Sequence, residues 1–359
     1  MMGQFLAQIV AVMRLEMKKT FLARRGLWVY FLAFAPALLF LAHSLHAPYE
    51  QRRLERVAAA NPVSPRALDA ISVGLSRDEV VERLGQPYRQ RSGRRQGSDG
   101  QRHPFSRYDY TDGRRSVTFQ FSDGELIGIA REDIDTLPIS QLIFATSFQF
   151  YFLRLAIFFG CVGIFVNLFR GEMLDQSLHF YLLTPLRRET LLIGKYLAGL
   201  LATVVIFTSS TALQWLAMLW QFEWSTITRF LEGPGWGQFG AYLGVTALAC
   251  VGYGSIFLVV GLLFRNPIVP AAVVLLLESA NPFLPPALKK ISMIFYLQSI
   301  CPVPAMPDRN MPPMIGLLIA PTEPASVVTS LICIALLTGL VLMAAAYLAR
   351  RLEINYSTD

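Results

Sequence analysis

Charge is scarce in this 359-residue chain: Asp, Glu, Lys and Arg make up 16% of it against 53% hydrophobic residues, where a soluble domain carries about a quarter charged residues. That balance excludes a protein dissolved in water along its whole length. Histidine and cysteine are also few, at four each. Cys161, Cys250, Cys301 and Cys333 lack paired or metal-type spacing and read as small core residues. His43 and His46 form an isolated His-x-x-His with no third ligand in view, and read as interfacial histidines. No His-Glu-x-x-His or Gly-x-Ser-x-Gly occurs. Gly194-Lys195 lacks the upstream glycine of a phosphate-cradling loop, position 189 being Glu, so the chain cannot hydrolyse ATP by the usual P-loop design.

What is present is apolar sequence in membrane-length pieces. A bilayer core about 30 Å thick takes about 20 apolar helical residues to cross, because lipid leaves no partner for an open backbone group. Six stretches qualify: about Leu27 to Ala42, Phe150 to Phe169, Leu197 to Trp220, Phe239 to Phe264, Ile268 to Pro285 and Ala325 to Leu348. The fifth is short and runs into Pro285 and Pro286. The net charge of +7 points to no nucleic acid, since the surplus lies beside the apolar runs. Arg14, Lys18, Lys19, Arg24, Arg25, Arg170, Arg187, Arg188, Lys195, Arg265, Arg350 and Arg351 share one side if both termini are cytoplasmic. The segment between the first two spans then lies outside. Before the first span, Phe5, Ile9, Met13, Met17 and Phe21 recur at helical spacing among polar residues, the pattern of a helix lying in the interface.

The segment from 46 to 143 holds about half of all charged residues and has its own local grammar. Ser64-Pro65 starts a helix that buries Ala67, Leu68 and Ile71. Ser76 and Glu79 form a capping box for a second helix, which stops at Gly85 before Pro87. Tyr108 and Tyr110, then Val117, Phe119 and Phe121, then Leu126 to Ile129, alternate between turns at Asp112-Gly113 and Asp123-Gly124, which predicts a three-stranded antiparallel meander. Gln90 to Arg102 lacks periodicity and reads as a mobile loop. The run Ile71-Ser-Val-Gly-Leu-Ser-Arg-Asp-Glu-Val-Val-Glu-Arg-Leu-Gly-Gln-Pro87 resembles the opening of the SmpA/OmlA (BamE-like) fold, which implies a core of two helices and a three-stranded sheet over about 64–130.

Arg170 to Lys195 carries an acidic residue (Glu172), an amphipathic stretch (Ser177 to Thr184) closed by Pro185, and Gly194-Lys195 entering the third span. In this order the features resemble the corresponding loop of type-2 ABC transporter permeases. The resemblance implies a mainly α, polytopic protein with six transmembrane helices: interfacial helix 1–26, first span 27–45, inserted extracytoplasmic α+β domain 46–143, spans two to six over 144–350, outer segment 286–324 and cytoplasmic tail 351–359. It also implies that loop 170–195 is a coupling helix gripping an ATPase through Glu172, Leu174, Asp175, Leu178, Phe180 and Tyr181. Expected partners are ABC ATPase subunits, a second permease copy in a homodimer or heterodimer, membrane lipid, and an envelope partner for the inserted domain. The chain itself is expected to be no enzyme and to hold no cofactor, with ATP and Mg bound by the ATPase, and to work as an exporter in a bacterial cytoplasmic (inner) membrane.

Two ionisable residues fall in apolar stretches, Arg154 and Glu278. Burying such a charge in lipid costs at least about 2.5 to 3.5 kcal/mol. They face protein or water on a substrate path, pair across helices, or snorkel at the outer interface. The rival functions are a membrane-embedded enzyme, for which clustered intramembrane His, Asp, Glu or Ser are missing, and a membrane scaffold or sensor with an outer binding domain.

Overall fold

The computed structural model describes residues 8–17, 26–96, 102–113, 115–133, 136–168, 188–264, 266–305 and 323–350. The chain divides into two units, residues 1–41 with 141–359, and Ala42–Ser140.

The first unit is a helical body. Among the described residues five helices are long and apolar enough to cross a membrane: Leu27–Ala60, Leu137–Val166, Thr190–Leu219, Trp224–Leu263 and Val327–Ala349. We label helix 8–17 α1, Leu27–Ala60 α2, Leu137–Val166 α5, Arg188–Leu219 α6, Trp224–Phe230 α7, Trp236–Leu263 α8 and Val327–Arg350 α12. Between α7 and α8 the path bends where Gly233 leaves helical geometry (φ −92, ψ −121) beside Pro234, whose ring and missing N–H break a regular turn. The fifth predicted span is a 13-residue helix, Ile268–Ala280 (α9), which one 3-10 turn lengthens to Phe283. At 1.5 Å per residue, α9 reaches about 20 Å, short of a hydrocarbon core. Short helices Pro286–Lys289 (α10) and Met293–Ile300 (α11) follow it.

α8 touches α5, α6, α11 and α12, and its side chains explain the fit. Tyr242 meets Phe144 and Phe148 edge-on at 4.9 and 4.8 Å, and Phe257 meets Phe158 at 4.8 Å, the arrangement ring quadrupoles favour. Gly261 lies where a Cβ would come within 2.9 Å of the Val166 Cα, so only glycine allows the two backbones this close. Hydroxyls serve as glue where apolar packing alone gives little preference over lipid: Thr211 and Thr246 are 3.0 Å apart, and Ser210 Oγ donates to the Ala33 carbonyl at 2.6 Å. Leucines left outside, such as Leu38, Leu39, Leu336 and Leu340, are what a lipid-facing surface requires.

The second unit holds α3 (Pro65–Asp69), α4 (Arg77–Leu84) and an antiparallel sheet in order β1-β2-β3-β4, formed by Arg89–Gln96, Arg102–Thr111, Arg115–Ser122 and Glu125–Asp133. Ser64 accepts from the Ala67 amide, and Ser76 with Glu79 completes the capping box before α4 ends at Gly85 (φ +78). Asp123 and Gly124 both take positive φ, as a tight hairpin turn matched to strand twist demands. Leu68, Ile71, Val80 and Leu84 pack on Tyr108, Tyr110, Val117, Phe119, Phe121 and Leu126 to form the core. Tyr110 donates its hydroxyl to the Gly85 carbonyl at 2.8 Å, and burial raises its pKa, so it stays a neutral donor.

Two expectations need correction. The sheet has four strands, not three, because Arg89–Gln96, which covers the first part of the loop expected over Gln90 to Arg102, pairs residue for residue with Arg102–Asp109. An edge strand held by main-chain hydrogen bonds needs no apolar side chains of its own, so alternation cannot reveal it. On the core face, Gln90 Nε2 donates to the Tyr108 hydroxyl at 3.1 Å. The first apolar helix also does not stop near Ala42 but continues unbroken to Ala60. The polar sequence after the apolar run is still helix-forming, and the helix ends only before Pro62.

Candidate functional site

The six residues assigned to ATPase gripping, Glu172, Leu174, Asp175, Leu178, Phe180 and Tyr181, lie outside the described residues, as do Phe5, Phe21 and the tail 351–359. The flanks of the loop are described. Leu168 stands two residues past α5, and Lys195 stands in α6. The Lys195 ammonium donates to the Leu168 carbonyl at 2.8 Å and to Glu16 Oε1 at 2.9 Å. Both side chains of that ion pair are buried, 0% exposed for Lys195 and 3% for Glu16. One residue earlier, a Cβ on Gly194 would approach the Val12 side chain to 2.8 Å and the Ile9 carbonyl to 3.3 Å. Ile9, Val12 and Glu16, at i, i+3 and i+7, thus form the buried face of α1. The apolar spacing Phe5, Ile9, Met13, Met17 and Phe21 describes a stripe toward the membrane interface and leaves Glu16 off it. Glu16 was missed because a carboxylate on an otherwise apolar face reads as an exposed position until its partner is known.

The second assembly surrounds Glu278. Its carboxylate accepts from the Met293 amide at 2.9 Å, the Ile294 amide at 2.8 Å and the Tyr253 hydroxyl at 3.2 Å. All three partners are donors, so the arrangement fits an ionised carboxylate. The two amides belong to the first turn of α11, whose N–H groups have no partner within the helix and whose dipole favours negative charge. Three residues on, Asn281 Nδ2 donates to the Lys289 carbonyl at 3.1 Å and to Ser292 Oγ at 2.5 Å. Glu278 near the end of α9 and Asn281 just after it therefore fasten the end of α10 and the start of α11. Tyr253 stands 17 residues after Trp236 and 10 before Leu263, about 25 Å and 15 Å along α8 at 1.5 Å per residue, which puts Glu278 against the middle of that helix.

Arg154 lies within electrostatic reach of Glu278 and Tyr253, with its guanidinium 5.2 Å from the Phe150 ring centroid. Its Nε is buried with no hydrogen-bond partner among the described residues. It sits in a π-helical stretch, Phe148–Ile157, a widened turn frequent at functional positions and one that the smooth hydrophobicity of the sequence gave no means of locating. The structure thus brings Arg154 and Glu278 into one neighbourhood, with Tyr253 between their elements.

His46 faces Glu50 at 3.8 Å, and among the described residues no group of three or more His, Cys, Asp or Glu side chains is placed to hold a metal ion.

Comparison with known proteins agrees with this architecture. Residues 11–280 match the family model described as ABC-2 family transporter protein. No curated protein matches the chain significantly. The matched region begins in α1, takes in the Glu16–Lys195 junction and the loop it frames, and ends beside Glu278 in α9. Spanning well over half of the sequence, it shows that this multi-pass chain is a membrane-domain permease of the ABC-2 transporter family.

Proposed function

We propose that the chain is a half-size permease of an exporter, working as two permease copies with two cytoplasmic ATP-binding subunits. The observation that carries this reading is the family match over residues 11–280, which includes the loop that the sequence likens to a coupling helix. ATP binding would draw the ATPases together. The loop 170–195, held through Glu172, Leu174, Asp175, Leu178, Phe180 and Tyr181, would pass that motion to α5 and α6. A helix tied at both ends to spans acts as a lever, and its apolar side chains suit a cleft on the ATPase. In this reading both termini are cytoplasmic, the fifth of six crossings is built from α9 and the segment after it, and the membrane is a bacterial cytoplasmic one.

The second unit, outside the cell membrane in this arrangement, would extend the exit or recruit an envelope partner. Its capping box, two helices and following sheet support the likeness to the SmpA/OmlA fold. The extra edge strand β1 is a departure from the three-stranded pattern. The cargo is set by chemistry that no motif of this chain names.

Purification of the tagged full-length chain from its native membrane tests the proposal. The expected result is a co-purifying P-loop ATPase, stoichiometric by mass spectrometry, whose hydrolysis of ATP responds to the permease. A permease that purifies intact without any such subunit, and whose activity is indifferent to ATP, would overturn it in favour of an enzyme or a scaffold. Accessibility labelling that finds position 181 outside the cell would overturn the orientation.

A further inference from the structure

The Gly194-Lys195 step invites an explanation that loop docking alone does not supply. A lysine ammonium that is fully buried demands compensation, and a methionine or leucine would fill the same space without that demand. Here the compensation comes from two other parts of the chain: Glu16 of α1, at 2.9 Å, and the Leu168 carbonyl just beyond α5, at 2.8 Å. Charge-assisted hydrogen bonds are directional as well as strong, so Lys195 sets the register of α1 and of the end of α5 against α6. Gly194 adds a steric half to the joint, because Val12 and the Ile9 carbonyl occupy the space where any side chain would stand. The joint lies where the chain leaves the body after α5 and returns to it in α6.

We propose that Lys195 is a positioning residue that joins α1 to both ends of the loop between α5 and α6 as one rigid block, so that a push on the loop moves α1 with the spans. This inference rests on the ATPase-docking reading of that loop, and it adds α1 to the moving parts. An N-terminal helix that merely floated in the interface would have no need of a buried carboxylate.

The test uses the full-length chain in nanodiscs with its co-purified ATPase. The four native cysteines are replaced, and spin labels are placed at Arg14→Cys and Ile193→Cys, both exposed. Pulsed electron resonance gives the distance between α1 and α6 without nucleotide and after vanadate trapping. The parent chain should show one narrow distribution in both states. Glu16→Gln/Lys195→Met removes both charges, so no unpaired charge is left buried to unfold the protein. It should bind the ATPase normally, show a broad distance distribution, and lose ATP turnover by roughly 5- to 150-fold, the range of ordinary coupling free energies. A double variant with the narrow distribution and parental turnover overturns the proposal. If the parent chain binds no ATPase, it is the docking reading that fails, while the distances without nucleotide still decide whether Lys195 locks α1.

Discussion

Replacing Glu278 by alanine removes the acceptor of three hydrogen bonds at once, from Met293 N, Ile294 N and the Tyr253 hydroxyl. A buried donor stripped of its partner costs about 1 to 3 kcal/mol. Three of them set an upper range of about 3 to 9 kcal/mol on that scale. The hydroxyl can rotate toward another acceptor, and the variant no longer buries a charge, so the net loss should fall at the low end of that range, about 3 kcal/mol. Glu278→Gln keeps one carbonyl acceptor but aims an amide donor at a donor, which puts it between wild type and alanine. Because the lost bonds begin α11, the damage should be local: amide exchange at Phe295 to Leu297 should quicken by roughly 100-fold or more, at about 1.4 kcal/mol per factor of ten. Exchange in the second unit should stay unchanged. Hydrogen exchange with mass spectrometry on the detergent-solubilised chain reads both regions in one experiment. Glu278→Ala with wild-type protection across α11 would refute the view that this carboxylate organises the segment.

Other consequences can be measured with equal economy. Gly194→Val forces a side chain into Val12 and the Ile9 carbonyl, and overpacking of this kind costs about 1 to 3 kcal/mol; protease cleavage within α1 should become faster while the spans stay intact. Phe119, with no exposed surface in the core of the second unit, should cost about 3 to 5 kcal/mol on truncation to alanine, visible as early loss of the sheet in thermal circular dichroism. Hydrogen bonds from the Ser76 amide and hydroxyl lower the Glu79 pKa. A folded pKa below the unfolded one means stabilisation that is present above the unfolded pKa and lost as pH falls through the folded pKa. The α4 cap should therefore weaken in acid, and Glu79→Gln should flatten that part of the pH profile. Finally, alanine at both Phe180 and Tyr181 should separate ATP hydrolysis from transport with no loss of folding. Normal ATP-driven transport by that variant would count against their role on the ATPase.

Much of the second unit was legible in its sequence because its signals are local. Ser76 and Glu79 are three residues apart, and a capping box depends on nothing farther away. The core residues Tyr108, Tyr110, Val117, Phe119 and Phe121 could be read from alternation. β1 could not, since its Arg-rich sequence pairs only because β2 presents an open edge. The two candidate assemblies divide the same way. Arg154 and Glu278 stood out as charges in apolar runs, but their neighbourhood, and the role of Tyr253, required the packing of α5, α8 and α9.

The sequence by itself determined that this chain lives in a bilayer, because apolar length against hydrocarbon thickness is a property of a single segment and leaves the backbone one way to satisfy itself. It likewise determined which family the chain resembles, through residues in linear order. Only the tertiary structure decided what the buried charges do. Glu16 meets Lys195 across 179 positions, and Glu278 meets the Ile294 amide across 16. Such pairs exist because a charge withdrawn from water must find a partner in space, and the chain's order does not record which one it finds.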